Sequence, residues 1–146
     1  MENILISACL LGCACRYDGE TREYDLKGIG KIYNLIPFCP EIYGGLSTPR
    51  VPSEIVCGKV INKEGVDVTK QYEKGACEAL RLCEMFSVRK ALLKEKSPSC
   101  GSGEIYDGTF SHTVIKGDGV TAKLLKQHNI KIFGESEIDI LKNIEE

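Results

Sequence analysis

Three cysteines, each placed after a predicted strand, are the residues of this sequence best suited to chemistry. Cys9 follows a short apolar run, Cys39 follows a second, and Cys100 lies in a loop beyond a third. Because parallel strands bring their carboxyl ends to one edge of a sheet, where ligands bind, we expect the three thiols to converge there. Three thiolates around a cubane of four irons would leave one iron open, as a Lewis-acid catalyst requires.

The other five cysteines leave further interpretations open. Cys13 and Cys15 closely follow the first of the three in a Cys-x3-Cys-x-Cys pattern, which could itself bind a metal. Cys77 and Cys83 lie on a predicted amphipathic helix, and we expect both of them and Cys57 to be buried as small apolar side chains. Spacing alone therefore does not decide which cysteines are ligands.

Length and composition favour one globular domain over residues 1–146. The chain is 42% hydrophobic and 27% charged with a net charge of −2, which gives no electrostatic case for binding a long nucleic acid. No apolar run approaches the ~20 residues of a membrane helix, and the N-terminus does not resemble a signal peptide. We expect a cytoplasmic protein without membrane contact, as a monomer or a weak homo-oligomer, with its thiols reduced.

Short apolar runs alternate with helical patterns along the chain. Apolar side chains recur at helical spacing from Tyr72 to Phe86, Asp118 is expected to cap a second helix, and Ser136 a third over residues 137–144. Residues 105–114 are predicted to form a loop or a short hairpin. The predicted strands are residues 3–8, 32–38, 55–56, 59–61, 88–93 and 130–133. This alternation predicts a single three-layer, Rossmann-like α/β domain with a mainly parallel sheet.

Short motifs follow one another along nearly the whole chain. They are Ser7-Ala8-Cys9-Leu10-Leu11-Gly12, Cys15-Arg16-Tyr17-Asp18-Gly19, Cys39-Pro40-Glu41, Gly44-Gly45-Leu46, Pro49-Arg50, Asp67-Val68-Thr69 with Gly75-Ala76, Ser97-Pro98-Ser99-Cys100-Gly101, Ile105-Tyr106-Asp107-Gly108-Thr109-Phe110, and residues 117–122. In this order they resemble the thiouracil desulfurase family. The resemblance implies one α/β domain that holds a 4Fe–4S cluster through Cys9, Cys39 and Cys100. It also implies removal of sulfur from a thiouracil-like base without net redox change.

The expected reaction is hydrolysis of a carbon–sulfur bond in a small thiolated base. The soft thiocarbonyl sulfur suits an iron centre, and attack of water on the carbon needs a general base. Glu41, two residues from a predicted ligand, is the first candidate for that base. An ion pair with Arg50 would be its structural alternative, and Glu54 is a second carboxylate candidate.

Polar residues beside the cysteines are candidates for assisting catalysis and binding substrate. Ser97 and Ser99 flank Pro98 and could hydrogen-bond the substrate or the cluster, although ordinary turn chemistry would also explain them. Arg16 and Arg50 could hold the substrate's oxygen or balance the charge of the cluster, or they could simply be paired or solvated.

Two rival functions remain beside the desulfurase. One is a non-catalytic iron–sulfur or zinc module that senses or stores metal, and the other is a sulfur carrier that uses a cysteine persulfide at Cys13 or Cys15. The two histidines, His112 and His128, are distant from the cysteine motifs in sequence and do not predict a zinc or Ser-His-Asp site. The sequence has no glycine-rich motif for a nucleotide cofactor.

Overall fold

The computed structural model describes residues 1–144 and has a central four-stranded sheet. Two short antiparallel hairpins and four helices accompany the sheet. In chain order the elements are β1 (Glu2–Ser7), β2 (Tyr33–Phe38), α1 (Pro40–Tyr43), β3 (Ser53–Val56), β4 (Lys59–Asn62), α2 (Thr69–Met85), β5 (Lys90–Leu93), β6 (Glu104–Tyr106), β7 (Val114–Lys116), α3 (Val120–Gln127), β8 (Lys131–Gly134) and α4 (Ile138–Lys142).

All four strands of the central sheet are parallel, in the order β2-β1-β5-β8. Strand β1 lies inside the sheet, and its last residue, Ser7, pairs with Phe38 at the end of β2. Ile4, Leu5 and Ile6 of β1 are fully buried, as expected for a parallel strand covered on both faces. The carboxyl ends of β1, β2 and β5 therefore share one edge of the sheet.

Helices and turns cover both faces of this sheet, which confirms the predicted three-layer α/β fold. On one face, Ala79 and Cys83 of α2 and Leu125 of α3 pack in a cluster with Leu5 and Leu93. A second apolar cluster on the other face joins Ile4, Ile6 and Leu92 to a 3-10 turn at residues 29–31 and to α4. None of the helices within residues 1–144 is long and apolar enough to cross a membrane.

The short helix α1 is fixed by close backbone contact with α2. A Cβ atom added to Gly75 of α2 would collide with the carbonyl oxygen of Pro40, and one added to Gly44 would collide with that of Gln71. Glycine permits this approach because it has no side chain at the crossing. The contact sets the position of Cys39, which precedes α1, and of Glu41, which lies within it.

Two predicted helix caps are wrong. Asp118 does not cap α3; its carboxylate accepts hydrogen bonds from the Gly103 N–H and from the Lys126 ammonium. The first amides of α3 instead donate to carbonyl groups of a neighbouring loop, so a side-chain cap is not needed. Ser136 does not cap α4, which begins at Ile138 after a 3-10 turn, because its hydroxyl donates to Glu95.

The expected burial of three cysteines is correct at one position only. Cys83 is buried in the core, whereas Cys57 and Cys77 are exposed. Cys57 lies in the tight turn between β3 and β4, with a positive φ of 50°, and Cys77 lies on the solvent side of α2. An isolated apolar side chain on the surface is ordinary and needs no functional explanation.

Candidate active site

A cavity of about 470 Å³ opens at the carboxyl edge of the sheet. Ser7 at the end of β1, Phe38 at the end of β2 and Lys94 just after β5 contribute to its wall. Its volume lies in the range of about 300–1,000 Å³ that is usual for small-molecule sites. All the residues predicted to form the site line this one cavity: Cys9, Arg16, Cys39, Glu41, Arg50, Ser97, Ser99 and Cys100.

The first thiols of the cavity come from the loop after β1. Cys9 lies in a 3-10 turn, Ala8–Leu11, which directly continues the strand. Cys15 also lines the cavity, whereas Cys13 is exposed. The Cys15 thiol is hydrogen-bonded to Cys39 and to Cys9; the first bond lowers its pKa, but the second, together with burial, raises the pKa to about 11. The loop thus brings two of its three thiols to the cavity.

Cys39 joins the end of β2 to α1. It lies just before the helix, where Pro40 can begin α1 because the first helical position needs no backbone N–H. Its Sγ lies 3.9 Å from the carbonyl oxygen of Cys15. The hydrogen bond with the Cys15 thiol and burial both raise the pKa of Cys39 well above its ordinary value.

The loop that carries Cys100 is held by its own serine and by α3. The Ser97 hydroxyl accepts hydrogen bonds from the N–H groups of Ser99 and Cys100, each at 3.1 Å. The first amides of α3 bind the loop from outside: Val120 N–H donates to the Pro98 carbonyl at 2.9 Å, and Thr121 N–H to that of Ser99 at 2.8 Å. These bonds leave little freedom in the direction of the thiol.

The Cys100 thiol is buried beside two serine hydroxyls. Ser7 Oγ donates to its Sγ at 3.5 Å and also accepts the Lys94 N–H at 3.0 Å, which links β1, β5 and the thiol. Ser99 Oγ lies 3.6 Å from the same sulfur. Burial raises the pKa of Cys100 to about 12, although both hydroxyls act to lower it. Without a metal, this thiol is therefore protonated at neutral pH.

Glu41 is held by donors on three sides. Its Oε1 accepts from Arg50 Nε and from the Tyr72 hydroxyl, both at 3.0 Å, and its Oε2 accepts from Ser99 Oγ at 2.9 Å. An ionised carboxylate offers about four acceptor positions, so one remains, on Oε2. Burial and the Glu41 charge raise the pKa of Tyr72, which keeps that hydroxyl a donor.

The serines form a short chain of hydroxyl groups that ends on this carboxylate. Ser97 Oγ and Ser99 Oγ lie 2.9 Å apart. A hydroxyl has one proton, and because Ser99 gives its proton to the acceptor Glu41, Ser97 must be the donor to Ser99. Both the turn chemistry and the cavity-lining position expected of these serines are therefore present.

The two arginines of the site are already partnered within the protein. Arg50 binds Glu41 and also donates to the Cys15 carbonyl at 2.8 Å, so it links the loop after β1 to α1. Arg16 forms a two-point ion pair with Asp18, which raises the pKa of Arg16. Their predicted contact with substrate stays a prediction.

No role was predicted for the aromatic part of the cavity wall. Tyr106, Phe110 and His112, on and beyond β6, line the cavity together with Glu54 of β3. His112 is distant from the cysteine motifs in sequence, but the β6–β7 hairpin brings it to the wall of their cavity. The available signal was three ring side chains within seven residues of a chain that is only 7% aromatic.

The donor set of this cavity suits an iron–sulfur cluster better than a single ion. Among residues 1–144, no three side chains of His, Cys, Asp or Glu are grouped so that they could hold one metal ion. A zinc ion needs its ligands around one centre, whereas a cubane takes one thiolate per iron and so spreads its ligands around itself. Thiols from three separate strand ends, with the Ser7 hydroxyl as a donor to one of the sulfurs, suit the second arrangement.

The chain is similar to known proteins over nearly its whole length. Residues 4–137 match the family model described as 2-thiouracil desulfurase. The chain is 42% identical to the uncharacterized protein YbbK of Bacillus subtilis (strain 168), over 94% of this chain and 99% of that protein. It is 44% identical to a solved structure, the 4Fe–4S-dependent thiouracil desulfidase TudS, with a TM-score of 0.92 over 97% of this chain and 96% of that one.

Proposed function

The chain belongs to the 2-thiouracil desulfurase family, and we propose that it is an enzyme that removes sulfur from a thiolated pyrimidine base. The products are the oxo base, uracil in the case of 2-thiouracil, and sulfide. The cofactor is a 4Fe–4S cluster, as in the solved relative. The reaction replaces sulfur by oxygen from water and involves no net oxidation or reduction.

The observation that best supports this function is the meeting of thiols and a carboxylate in one cavity. Cys9, Cys39 and Cys100 come from three separate loops and line the same space as Glu41. The Ser99 hydroxyl contacts both the Cys100 sulfur and the Glu41 carboxylate. A site that only stored metal would not need a hydrogen-bonded carboxylate beside its thiols.

Cys9, Cys39 and Cys100 are the proposed ligands of the cluster. When bound, a cubane with three protein thiolates supplies one open iron, a Lewis acid that a soft thiocarbonyl sulfur can reach. Loading must release protons, because at least Cys39 and Cys100 have raised pKa values in the free protein. The Ser7 hydroxyl then remains as a donor to the Cys100 sulfur, and the Ser99 hydroxyl, which donates to Glu41, stays beside it.

Glu41 is the proposed general base. The free acceptor position on its Oε2 can take a proton from water in the cavity, and Arg50 and Tyr72 hold its other oxygen in a fixed direction. Ser99 can take the water's proton and pass its own to Glu41 in the same step. Ser97, which donates to Ser99, keeps that hydroxyl oriented toward the carboxylate.

Anaerobic reconstitution with iron and sulfide, followed by a 2-thiouracil assay, tests this function. The expected result is a brown protein with about four irons per chain, release of sulfide, and formation of uracil in equal amount. A loaded protein that releases no sulfide would favour a sensing module. A protein that binds no iron and accepts sulfane sulfur at Cys13 or Cys15 from an added persulfide donor would favour a sulfur carrier.

We also propose that the enzyme acts in a reducing compartment, the cytoplasm, on a free small molecule. All eight cysteines are free thiols, and a thiol-ligated cluster needs them reduced. The expectation of a monomer or a weak homo-oligomer stays a prediction, which size-exclusion chromatography with light scattering would test.

A further inference from the structure

The β6–β7 hairpin contributes an aromatic part of the cavity wall. We use the term aromatic loop for residues 106–113, which include the last residue of β6 and the connection to β7. Tyr106, Phe110 and His112 of this loop line the cavity that also contains the thiols. The proposed chemistry involves the thiols and Glu41 and assigns nothing to these rings.

The three rings differ in their contacts with other aromatic rings. Tyr106 and His112 pack edge to face, with centroids 5.9 Å apart and planes at 84°. Phe110 makes no contact with another aromatic ring among residues 1–144, although its side chain is half-buried and borders the cavity. Among these three rings, Phe110 is therefore the one that borders the cavity without being engaged by another ring.

The backbone of the aromatic loop is held in an uncommon conformation. Phe110 and His112 have positive φ values of 57° and 59°, which bulky residues rarely adopt. Such conformations persist where the surrounding structure determines them, and they concentrate at functional sites. The side chains of Phe110 and His112 are therefore directed by an unfavourable backbone conformation.

Glu54 supplies the contact that determines this conformation. It lies on β3 and is 8% exposed, and its Oε1 accepts the N–H of Gly108 at 2.9 Å and that of Phe110 at 3.2 Å. A carboxylate that accepts two amides of one loop fixes the path of that loop. The Phe110 ring is thereby tied to a strand rather than carried on a free loop.

We propose that Phe110 stacks on the planar ring of the substrate, and that Glu54 is the positioning residue that holds Phe110 in place. The proposal rests on the proposed function and adds a substrate class: planar thiolated heterocycles with an open ring face. Aromatic side chains bind nucleobases in this way because every base has a flat π face. Glu54, with Oε1 committed to two amides, then acts through the loop and not on the reacting atoms.

Steady-state kinetics of the reconstituted enzyme with 2-thiouracil provide the first test. Phe110→Ala should raise KM on the order of ten-fold, the effect of losing one base–aromatic stack, with kcat and iron content nearly unchanged. Phe110→Leu keeps the apolar bulk but lacks a flat face, so its KM should rise by most of the same factor. This variant keeps the test valid if Phe110→Ala folds poorly. Phe86→Ala, an exposed phenylalanine outside the cavity, is the matched control. An unchanged KM in both Phe110 variants would overturn the proposal.

The role of Glu54 is tested by the contrast between two variants. Glu54→Ala removes the acceptor of both amides and should raise KM as Phe110→Ala does. Glu54→Gln keeps an acceptor oxygen and should restore nearly wild-type values. If Glu54→Gln instead lost kcat while KM stayed unchanged, Glu54 would be a catalytic base and the positioning role would be wrong.

Direct binding separates this inference from the proposed function. The chain has no tryptophan, so Phe110→Trp introduces a single fluorescent reporter at the proposed stacking position. Uracil added to the loaded protein should change its emission and leave that of the Phe86→Trp control unchanged. Absence of turnover in the wild type would count against desulfuration, whereas equal responses of the two reporters would count against stacking.

Discussion

Ser99 Oγ lies 2.9 Å from Glu41 Oε2 and joins helix α1 to the loop after β5, 58 residues away in sequence. Cys39 directly precedes α1, and Cys100 lies on the loop after β5. The bond therefore links a candidate base to the two segments that carry these proposed ligands. Movement of either segment would change the position of the carboxylate relative to the thiols.

Glu41→Gln should keep the cluster and lose most of the turnover. The amide has nearly the shape of the carboxylate but cannot accept a proton, and loss of a general base typically costs on the order of 10²–10⁴ in rate. Sulfide release per iron, measured with 2-thiouracil, checks this. Glu78→Gln on the solvent side of α2 is the control.

Two other outcomes would reassign Glu41. Turnover per iron near the wild-type value would transfer the role of base to Glu54 or to a water chain through Ser97. Loss of iron together with a lower melting temperature would show that its bonds to Arg50, Tyr72 and Ser99 serve structure alone.

The sequence predicted the central sheet well because its signal is local. The runs that form β1, β2 and β5 are short, mainly apolar and followed by cysteines, and parallel strand ends meet at one edge. The cap predictions for Asp118 and Ser136 failed for the opposite reason. Their partners, Gly103, Lys126 and Glu95, are chosen by tertiary packing that no local pattern contains.

The candidate site was predicted as a set of residues with few of their contacts. The ion pair between Glu41 and Arg50 was one expected alternative and is present at 3.0 Å, whereas the bonds of Glu41 to Tyr72 and Ser99 were not predicted. The aromatic loop was predicted as a loop or a short hairpin, but no role was predicted for its rings, because the hairpin returns His112 to the cavity from far along the chain. A weak hairpin of three-residue strands has little periodicity to reveal such a return.

Gly75→Ala should destabilise the protein and reduce cluster loading. Alanine gains up to about 1 kcal/mol of helix propensity, but overpacking costs about 1–3 kcal/mol, and here the new Cβ would meet the Pro40 backbone. The cost of the clash should exceed the gain in helix propensity, and the clash should displace Cys39 and Glu41. Thermal unfolding and iron analysis measure both effects, with the exposed Lys74→Ala on the same helix as control. A raised melting temperature with full loading would show that α1 can shift freely.

Asp118 should give the protein a pH-dependent increment of stability. Burial acts to raise the pKa of Asp118, but the Lys126 ammonium and the Gly103 N–H outweigh it and hold the pKa below its ordinary value of 3.8. A carboxyl with a lowered folded-state pKa stabilises the fold above its unfolded pKa, and the increment is lost as pH falls through the folded value. In urea unfolding at neutral pH, the free energy of unfolding of Asp118→Asn should therefore be lower than that of the wild type, by at most about 1 kcal/mol.

The free energies of unfolding of the wild type and of Asp118→Asn should converge as the pH falls below about 4. Glu64→Gln serves as the control, because Glu64 makes no ion pair in the part of the chain that the structure describes. A difference that stayed constant from pH 7 to pH 3 would show that Asp118 contributes through shape and not through its charge.

Alanine substitution of each cysteine should distinguish the thiols that bind the cluster from those that only lie near it. Cys9→Ala, Cys39→Ala and Cys100→Ala should each lose the broad visible absorption and most of the iron, since a cubane held by two thiolates is poorly retained. Cys77→Ala, exposed and outside the cavity, should keep both. Cys15→Ala is the discriminating variant, because this thiol is hydrogen-bonded to Cys9 and Cys39 without being a proposed ligand. The Cys15→Ala variant should retain its iron. If Cys15→Ala lost iron and Cys9→Ala kept it, the first ligand would be Cys15 and not Cys9.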